Sequence, residues 1–200
     1  TCSFNVTVTE NEAPVISGCP ADINVTNDAG ICGAAVTWVV PVASDNCGVS
    51  SFTSTHNSGD LFPVGVTTVT YTATDASGNT TLCSFTVTVT DPEAPVISGC
   101  PSDITVNNDF NMCGASVTWI VPVASDNCPG VTLTASHLPG TVFPVGTTTV
   151  TYVATDAGGN TDTCTFTVTV NDVQVPVKVQ VSVFPDRKST RLNSSHLVIS

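Results

Sequence analysis

The sequence of 200 residues predicts an all-β fold of tandem immunoglobulin-like β-sandwiches. Three observations support this fold class. The sequence repeats itself at a fixed spacing, apolar residues alternate with threonine along several segments, and each repeat carries four cysteines. An alternation with a period of two is typical of strands buried on one face. Several short strands separated by turns favour a sandwich.

The repeat has a spacing of 81 residues, as Cys19 and Cys100 show, and Trp38 and Trp119 keep the same offset. The phrases APVISGCP, PVASDNC and FPVG recur in this register without an insertion. Such regularity indicates the duplication of one folding unit rather than two unrelated domains.

The repeat divides the chain into five segments. Cys2-Ser3-Phe4 matches Cys83-Ser84-Phe85, so we expect the chain to begin inside the last strand of a truncated preceding repeat. The last fifteen residues resemble the translation of a sequencing adapter, and a basic C-terminal tail is the alternative interpretation. The predicted segments are the strand 1–10, the repeats 11–91 and 92–172, a Val-rich linker or start of a further domain at 173–185, and the adapter-derived segment 186–200.

Strands are predicted where the alternation is clearest. Apolar residues alternate with threonine over Thr67–Asp75 and over Leu82–Thr90, and the segment 75–79 between them is typical of a turn. A third strand is predicted from Ala34 to Val40, and shorter ones around Ile23 and Phe52. The large residues expected in the core are Trp38, Phe52, Tyr71 and Phe85.

The charge of the chain excludes several classes of partner. The chain has 16 acidic and 4 basic residues, which gives a net charge of −12. The first basic residue is Lys178, so residues 1–177 contain no lysine or arginine. Binding of nucleic acid needs such residues to neutralise phosphates, and attraction to an anionic membrane surface needs them too. No apolar run is long enough for a membrane helix, and we expect no membrane insertion.

The cysteines predict disulfides and therefore an oxidising compartment. A zinc site is the weaker alternative, because the sequence lacks the close cysteine pairs that zinc sites use. Three pairings are possible within a repeat. We favour Cys19–Cys47 with Cys32–Cys83, on the expectation that the second strand runs back along the first, and we expect Cys2 to be free. The predicted disulfide cysteines are Cys19, Cys32, Cys47, Cys83, Cys100, Cys113, Cys128 and Cys164.

The motifs of each repeat resemble those of the hyalin repeat, or HYR, domain. Each repeat has CP near its start, then CGAxVTW, PVASDNC, FPVGxTTVTYxATDAxGN and CxFTVTV. The resemblance covers residues 13–90 and 94–170. It implies an immunoglobulin-like fold, a secreted or cell-surface location and a role in cell adhesion, and it supplies no catalytic residues.

Neither an enzyme site nor a cofactor is predicted. His56 and His137 are one position seen twice, no GxSxG motif occurs, and we expect both histidines to be loop residues. Calcium is the one ligand considered, because acidic residues cluster where the repeats meet and carboxylates are ligands that calcium prefers. Solubilising linker and turn residues are the alternative interpretation. The calcium candidates are Asp45, Asp75, Asp91, Glu93, Asp126 and Asp156.

Two functions remain open. The first is an extracellular structural and adhesive module that spaces or presents a cell-surface or matrix protein, with an unidentified protein or glycan as partner. The second is a carbohydrate-binding or accessory repeat of a secreted hydrolase. The second would require exposed aromatic side chains, whereas Trp38 and Trp119 lie in an apolar alternation that is typical of a core.

Overall fold

The computed structural model describes residues 1–173, and the regular secondary structure of this range is entirely β. None of its elements is a helix of a length and apolarity that would cross a membrane. The segment 186–200 and all but the first residue of 173–185 lie outside the described residues. The first repeat contains β1 (Val15–Ser17), β2 (Ile23–Thr26), β3 (Gly33–Ala35), β4 (Val42–Ser44), β5 (Val49–Ser54), β6 (Leu61–Pro63), β7 (Gly65–Asp75) and β8 (Thr80–Thr90). The second contains β9 (Val96–Ser98), β10 (Ile104–Asn107), β11 (Gly114–Ser116), β12 (Val123–Ser125), β13 (Thr132–Ala135), β14 (Val142–Pro144), β15 (Gly146–Thr155) and β16 (Thr161–Asn171).

The main sheet of the first repeat has four strands in the order β2-β8-β7-β5. Strands β7 and β8 form a long antiparallel hairpin in which Thr74 lies opposite Thr80, and the predicted turn joins them. Strand β2 pairs with β8 in parallel, with Ile23 opposite Val87. The short ladders β1-β4 and β3-β6 provide the remaining strands. The second repeat has the same arrangement, with its main sheet in the order β10-β16-β15-β13.

The core is formed by the apolar half of the predicted alternation. In β7, Val69, Tyr71 and Ala73 are buried, while the threonines that alternate with them are only partly buried. Phe62 of β6 is fully buried against them. Full burial of one such side chain stabilises the fold by about 1.5–3 kcal/mol. Of the four large residues predicted for the core, Tyr71 and Phe85 are buried, and Trp38 and Phe52 pack half-buried against the cluster.

The third predicted strand is shorter than expected. Strand β3 ends at Ala35 instead of reaching Val40. Beyond it a serine hydroxyl replaces the neighbouring backbone: the Trp38 N–H donates to Ser58 Oγ at 2.8 Å, and Ser58 Oγ donates to the Trp38 carbonyl at 2.9 Å. Val36 is buried and keeps backbone partners, since its N–H donates to the Asp60 carbonyl at 3.2 Å and its carbonyl accepts from the Gly59 N–H at 2.8 Å. The alternation of burial ends at the half-buried Trp38, because Val40 is 51% exposed.

Residues 1–10, predicted to be a strand, have no regular structure in the described chain. Their apolar side chains are exposed, Phe4 at 86% and Val8 at 89%. The equivalent strand β8 is held between β2 and β7. No described strand lies beside residues 1–10, and a strand without a neighbour has no ladder to stabilise it.

Candidate interface at the junction of the repeats

A disulfide within each repeat joins the segment that precedes the first strand of the main sheet to the last strand of the repeat. Cys19 bonds to Cys83 with a Cα–Cα distance of 5.9 Å, and Cys100 bonds to Cys164 in the second repeat. The predicted pairing of Cys19 with Cys47 and of Cys32 with Cys83 is therefore wrong. The physical reason is the parallel ladder: Ile23 lies opposite Val87, and the two cysteines each lie four residues before those partners.

A third disulfide crosses the junction between the repeats. Cys32 of the first repeat bonds to Cys128 of the second, with a Cα–Cα distance of 4.8 Å. Cys47 and Cys113, which we predicted to be bridged inside their own repeats, are free thiols in the structure, as is Cys2.

The strand register explains why this bond runs between repeats. Cys32 follows β2, whose last residue Thr26 lies opposite Thr90 at the end where β8 leaves the repeat. Cys47 precedes β5, whose first residue Val49 lies opposite Asp75 at the other end of the hairpin. The two positions therefore lie at opposite ends of one sandwich. They meet only when the end of one repeat contacts the start of the next.

Hydrogen bonds surround the junction disulfide. The Glu93 carboxylate accepts from the Gly30 N–H at 3.2 Å and from the Asn27 amide at 3.4 Å. Gly30 has a φ of +71°, a conformation that glycine adopts without a steric cost, and this turns its N–H towards the second repeat. The Asn127 amide donates to the Ile31 carbonyl at 3.4 Å. The contact therefore combines one covalent bond with polar contacts to backbone groups and one side-chain amide of the β2–β3 loop.

The acidic calcium candidates at this junction are only partly brought together. Ligand atoms of Asp91, Asp126 and Cys128 all lie within 4.8 Å of one another. Cys128 is held in a disulfide, however, so its sulfur is not a thiolate ligand. Glu93 is directed to the β2–β3 loop instead, and the Asp156 carboxylate accepts from the side chain and backbone of the turn that follows it. Calcium binding here stays a prediction.

The second repeat contributes Cys128 to the junction from the end where the chain enters it. The corresponding end of the first repeat has the free thiol of Cys47 in place of a disulfide. Cys47 Sγ donates to Glu10 Oε2 at 2.9 Å. This hydrogen bond raises the pKa of the Cys47 thiol, and desolvation adds to the effect. The same contact lowers the pKa of Glu10. Of the two calcium candidates in this repeat, Asp45 accepts from the Cys47 N–H at 2.9 Å, and Asp75 is the last residue of β7, directly before the β7–β8 turn.

The buried aspartate of each hairpin turn organises that turn. Burial raises the pKa of Asp75, but hydrogen bonds from the Asn79 amide at 2.7 Å, the Asn79 N–H and the Ser77 N–H outweigh it. The pKa of Asp75 consequently lies below its ordinary value, and that of Asp156 in the second repeat does so for the same causes. Asn79 also donates to the Glu10 and Glu12 carbonyls, so the turn holds the segment that leads into the repeat.

The aromatic residues considered for sugar binding are part of the core. Trp38 packs edge-on against Phe62 and Phe85, and its Nε1–H donates to the Tyr71 hydroxyl at 2.8 Å. Trp119 makes the equivalent contacts in the second repeat. The histidines lie in the loops before β6 and β14, where each ring tilts against a core phenylalanine.

Each of the two immunoglobulin-like sandwiches has an internal disulfide to its last strand, and a third disulfide joins them, which defines the chain as a covalently joined tandem-repeat module. The HYR domain matches residues 9–89 and 90–170. The chain belongs to the HYR domain family, as its motifs predicted.

Proteins with longer chains contain similar sequences. The chain is 43% identical over 157 residues to the Sushi, von Willebrand factor type A, EGF and pentraxin domain-containing protein 1 of Rattus norvegicus, a match covering 76% of this chain and 4% of the relative. It is 36% identical over 196 residues to hyalin of Strongylocentrotus purpuratus, covering 96% and 16% respectively. Among solved structures, mouse cadherin-23 EC22-24 matches 80% of this chain and 65% of its own, at 19% identity and a TM-score of 0.35. The chain therefore spans only a small part of these two sequence relatives.

Proposed function

We propose that this chain is part of an extracellular structural and adhesive array, whose repeats space or present a cell-surface or matrix protein. The observation that carries the proposal is the junction between the repeats. A disulfide and three hydrogen-bonding groups connect the sandwiches, so the second repeat is tied to the first by more than the peptide linker.

Three further observations support the proposal. Disulfides persist in secreted and cell-surface proteins, and the structure has one in each repeat as well as the one between them. Membership of the HYR family points to adhesion. The chain carries a net charge of −12, which favours solubility and disfavours nucleic acid as a partner. We expect the partner to be an extracellular protein or glycan.

We also propose that the chain has no catalytic role. The two described histidines pack on Phe62 and Phe143 and are one position repeated. The alternative of a sugar-binding repeat is not favoured, because the Trp38 indole lies among core rings and its N–H is already bonded. A glycan array probed with the full chain tests this alternative, which would be supported by binding that Trp38→Phe abolishes without loss of folding.

Small-angle scattering of the full chain tests the proposed array. We expect an elongated particle, and we expect the variant carrying Cys32→Ser and Cys128→Ser to show a broader distribution of end-to-end distances. Cys47→Ser removes an exposed thiol outside the junction and is the matched control. A compact globule, or identical distributions for all three proteins, would contradict the proposal.

A further inference from the structure

We infer that the junction disulfide is one link of a covalent series, and that Cys47 is the site that bonds to a preceding HYR repeat through the cysteine at that repeat's Cys32 position. This inference rests on the proposed array, because it requires repeats of this kind to follow one another. The partner of the Cys47 thiol, which is free and exposed in the structure, is then a second cysteine thiol of the same fold.

The repeat register identifies Cys47 with a residue that already makes this bond. Cys47 and Cys128 are 81 residues apart and occupy the same position of the motif PVASDNC. Cys128 is bonded to Cys32 of the repeat before it. Each cysteine lies at the end of its sandwich where the chain enters, so a disulfide from Cys47 leads towards the preceding repeat.

The local structure of the two positions is the same. The Cys47 N–H donates to Asp45 Oδ2 at 2.9 Å, and the Cys128 N–H donates to Asp126 Oδ2 at 2.9 Å. The two cysteines differ in solvent exposure. Cys128 is 7% exposed, whereas Cys47 is exposed and hydrogen-bonds to Glu10. The loop that positions the bonded cysteine is thus already formed around the free one.

The carboxylate that accepts hydrogen bonds across the junction also has an equivalent in the first repeat. Glu93, which accepts from the loop of the first repeat, corresponds to Glu12. Glu12 is exposed and accepts from the Asn46 amide at 3.0 Å. Suppose that a preceding repeat contacts the first repeat in the same way as the first contacts the second. The N–H groups of its β2–β3 loop would then lie next to the Glu12 carboxylate.

The loop that presents Cys32 keeps its shape in the second repeat. The Asp28 N–H donates to the Gly33 carbonyl at 2.7 Å, and the equivalent pair beside Cys113 has the same distance. Asn111 occupies the position of Gly30 and retains a positive φ of 59°, which is uncommon for a residue with a side chain. Each repeat therefore has one cysteine, at the Cys32 position, at the end where the chain leaves it. It has a second, at the Cys47 position, at the end where the chain enters it.

The bond forms by thiol–disulfide exchange with an oxidised disulfide such as glutathione disulfide. The thiolate at the Cys32 position attacks this disulfide, forms a mixed disulfide and releases one glutathione thiolate. The Cys47 thiolate then attacks the protein sulfur of the mixed disulfide and releases the second. Two protein thiols are oxidised, one glutathione disulfide is reduced to two thiols, and the two protons are taken up by the leaving thiolates.

A full chain extended by one repeat tests the inference. A copy of residues 11–81 placed before Thr1 restores the register, because Thr1 corresponds to Leu82 and Cys2 to Cys83. After refolding with reduced and oxidised glutathione, disulfide mapping by mass spectrometry should find Cys2 bonded to the copy of Cys19 and Cys47 bonded to the copy of Cys32. The extended protein gains three cysteines and should nevertheless contain one free thiol fewer than the parent chain.

The bond to Cys2 shows whether the added repeat has folded, which separates failure of the inference from failure of the array. A protein in which Cys2 is bonded to the copy of Cys19 while Cys47 stays reduced would overturn the inference and leave the repeat fold intact. The matched control is Cys47→Ser in the extended chain, which should leave the copy of Cys32 reduced. In contrast, Cys113→Ser should not change the bond to Cys47.

Discussion

Removal of the Cys19–Cys83 disulfide should destabilise the first repeat far more than the second. The variant carries Cys19→Ala and Cys83→Ala, since alanine avoids placing a hydroxyl at the buried position of Cys83. The bond closes a sequence separation of 64 residues. The chain-entropy relation for such a loop gives about 4 kcal/mol at 25 °C, within the roughly 2–5 kcal/mol found for small secreted domains.

Differential scanning calorimetry measures this loss against an internal reference. A domain of this size shifts by about 4–8 °C per kcal/mol, so the transition of the first repeat should fall by roughly 15–30 °C. The second repeat keeps Cys100–Cys164 and should melt near its original temperature. Cys47→Ala, which removes an exposed free thiol, is the control and should change neither transition. A shift of the first transition below about 5 °C would refute the entropic reasoning, and an equal shift of both would refute the independence of the two repeats.

Three other predictions concern hydrogen bonds. Tyr71→Phe removes the acceptor of the Trp38 indole N–H and should cost about 1–2 kcal/mol in urea unfolding; an unchanged midpoint would show that the bond contributes nothing. The lowered pKa of Asp75 stabilises the fold above the unfolded value of about 3.9 and this contribution is lost as the pH falls through the folded pKa, so the Tm difference between the parent and Asp75→Asn should be full at pH 7 and shrink towards pH 3. Glu10→Gln removes the carboxylate that raises the pKa of Cys47, so alkylation of this thiol at neutral pH should become faster, and an unchanged rate would contradict the assigned cause.

The strands of the hairpin were predictable because their burial depends on local alternation. Val69, Tyr71 and Ala73 alternate with threonine. In a strand that is buried on one face, this pattern places the apolar side chains on the buried face and the threonines on the other. The strand predicted through Val40 was too long: Val40 is 51% exposed, and alternation does not show whether a residue such as Trp38 has a backbone partner. The Ser58 hydroxyl takes that role, and a serine in a loop gives no sign of it in the sequence.

The disulfide pairing was not predicted because it depends on strand order. The expectation of an antiparallel first pair places Cys19 beside Cys47, whereas the parallel ladder of β2 with β8 places it beside Cys83. The bond from Cys32 to Cys128 also requires the knowledge that the Cys32 and Cys47 positions lie at opposite ends of a sandwich. The sequence did carry a signal for this bond. Because the repeat is exact, the end where the chain leaves one repeat lies next to the end where it enters the following repeat.

The disulfide from Cys19, just before β2, to Cys83 of β8 also limits how far the protein stretches under tension. A pull along the chain enters the first repeat at Cys19 and passes through the sulfurs directly to Cys83, so the 64 residues of that separation do not unravel. Between Cys83 and Cys100 the backbone contributes a separation of 17 residues, which extends to about 60 Å at most. A repeat of 81 residues without the disulfide would instead extend to about 280 Å. A series of oxidised repeats therefore forms a tether that lengthens little under tension. The larger extension of each repeat becomes available only when its disulfide is reduced.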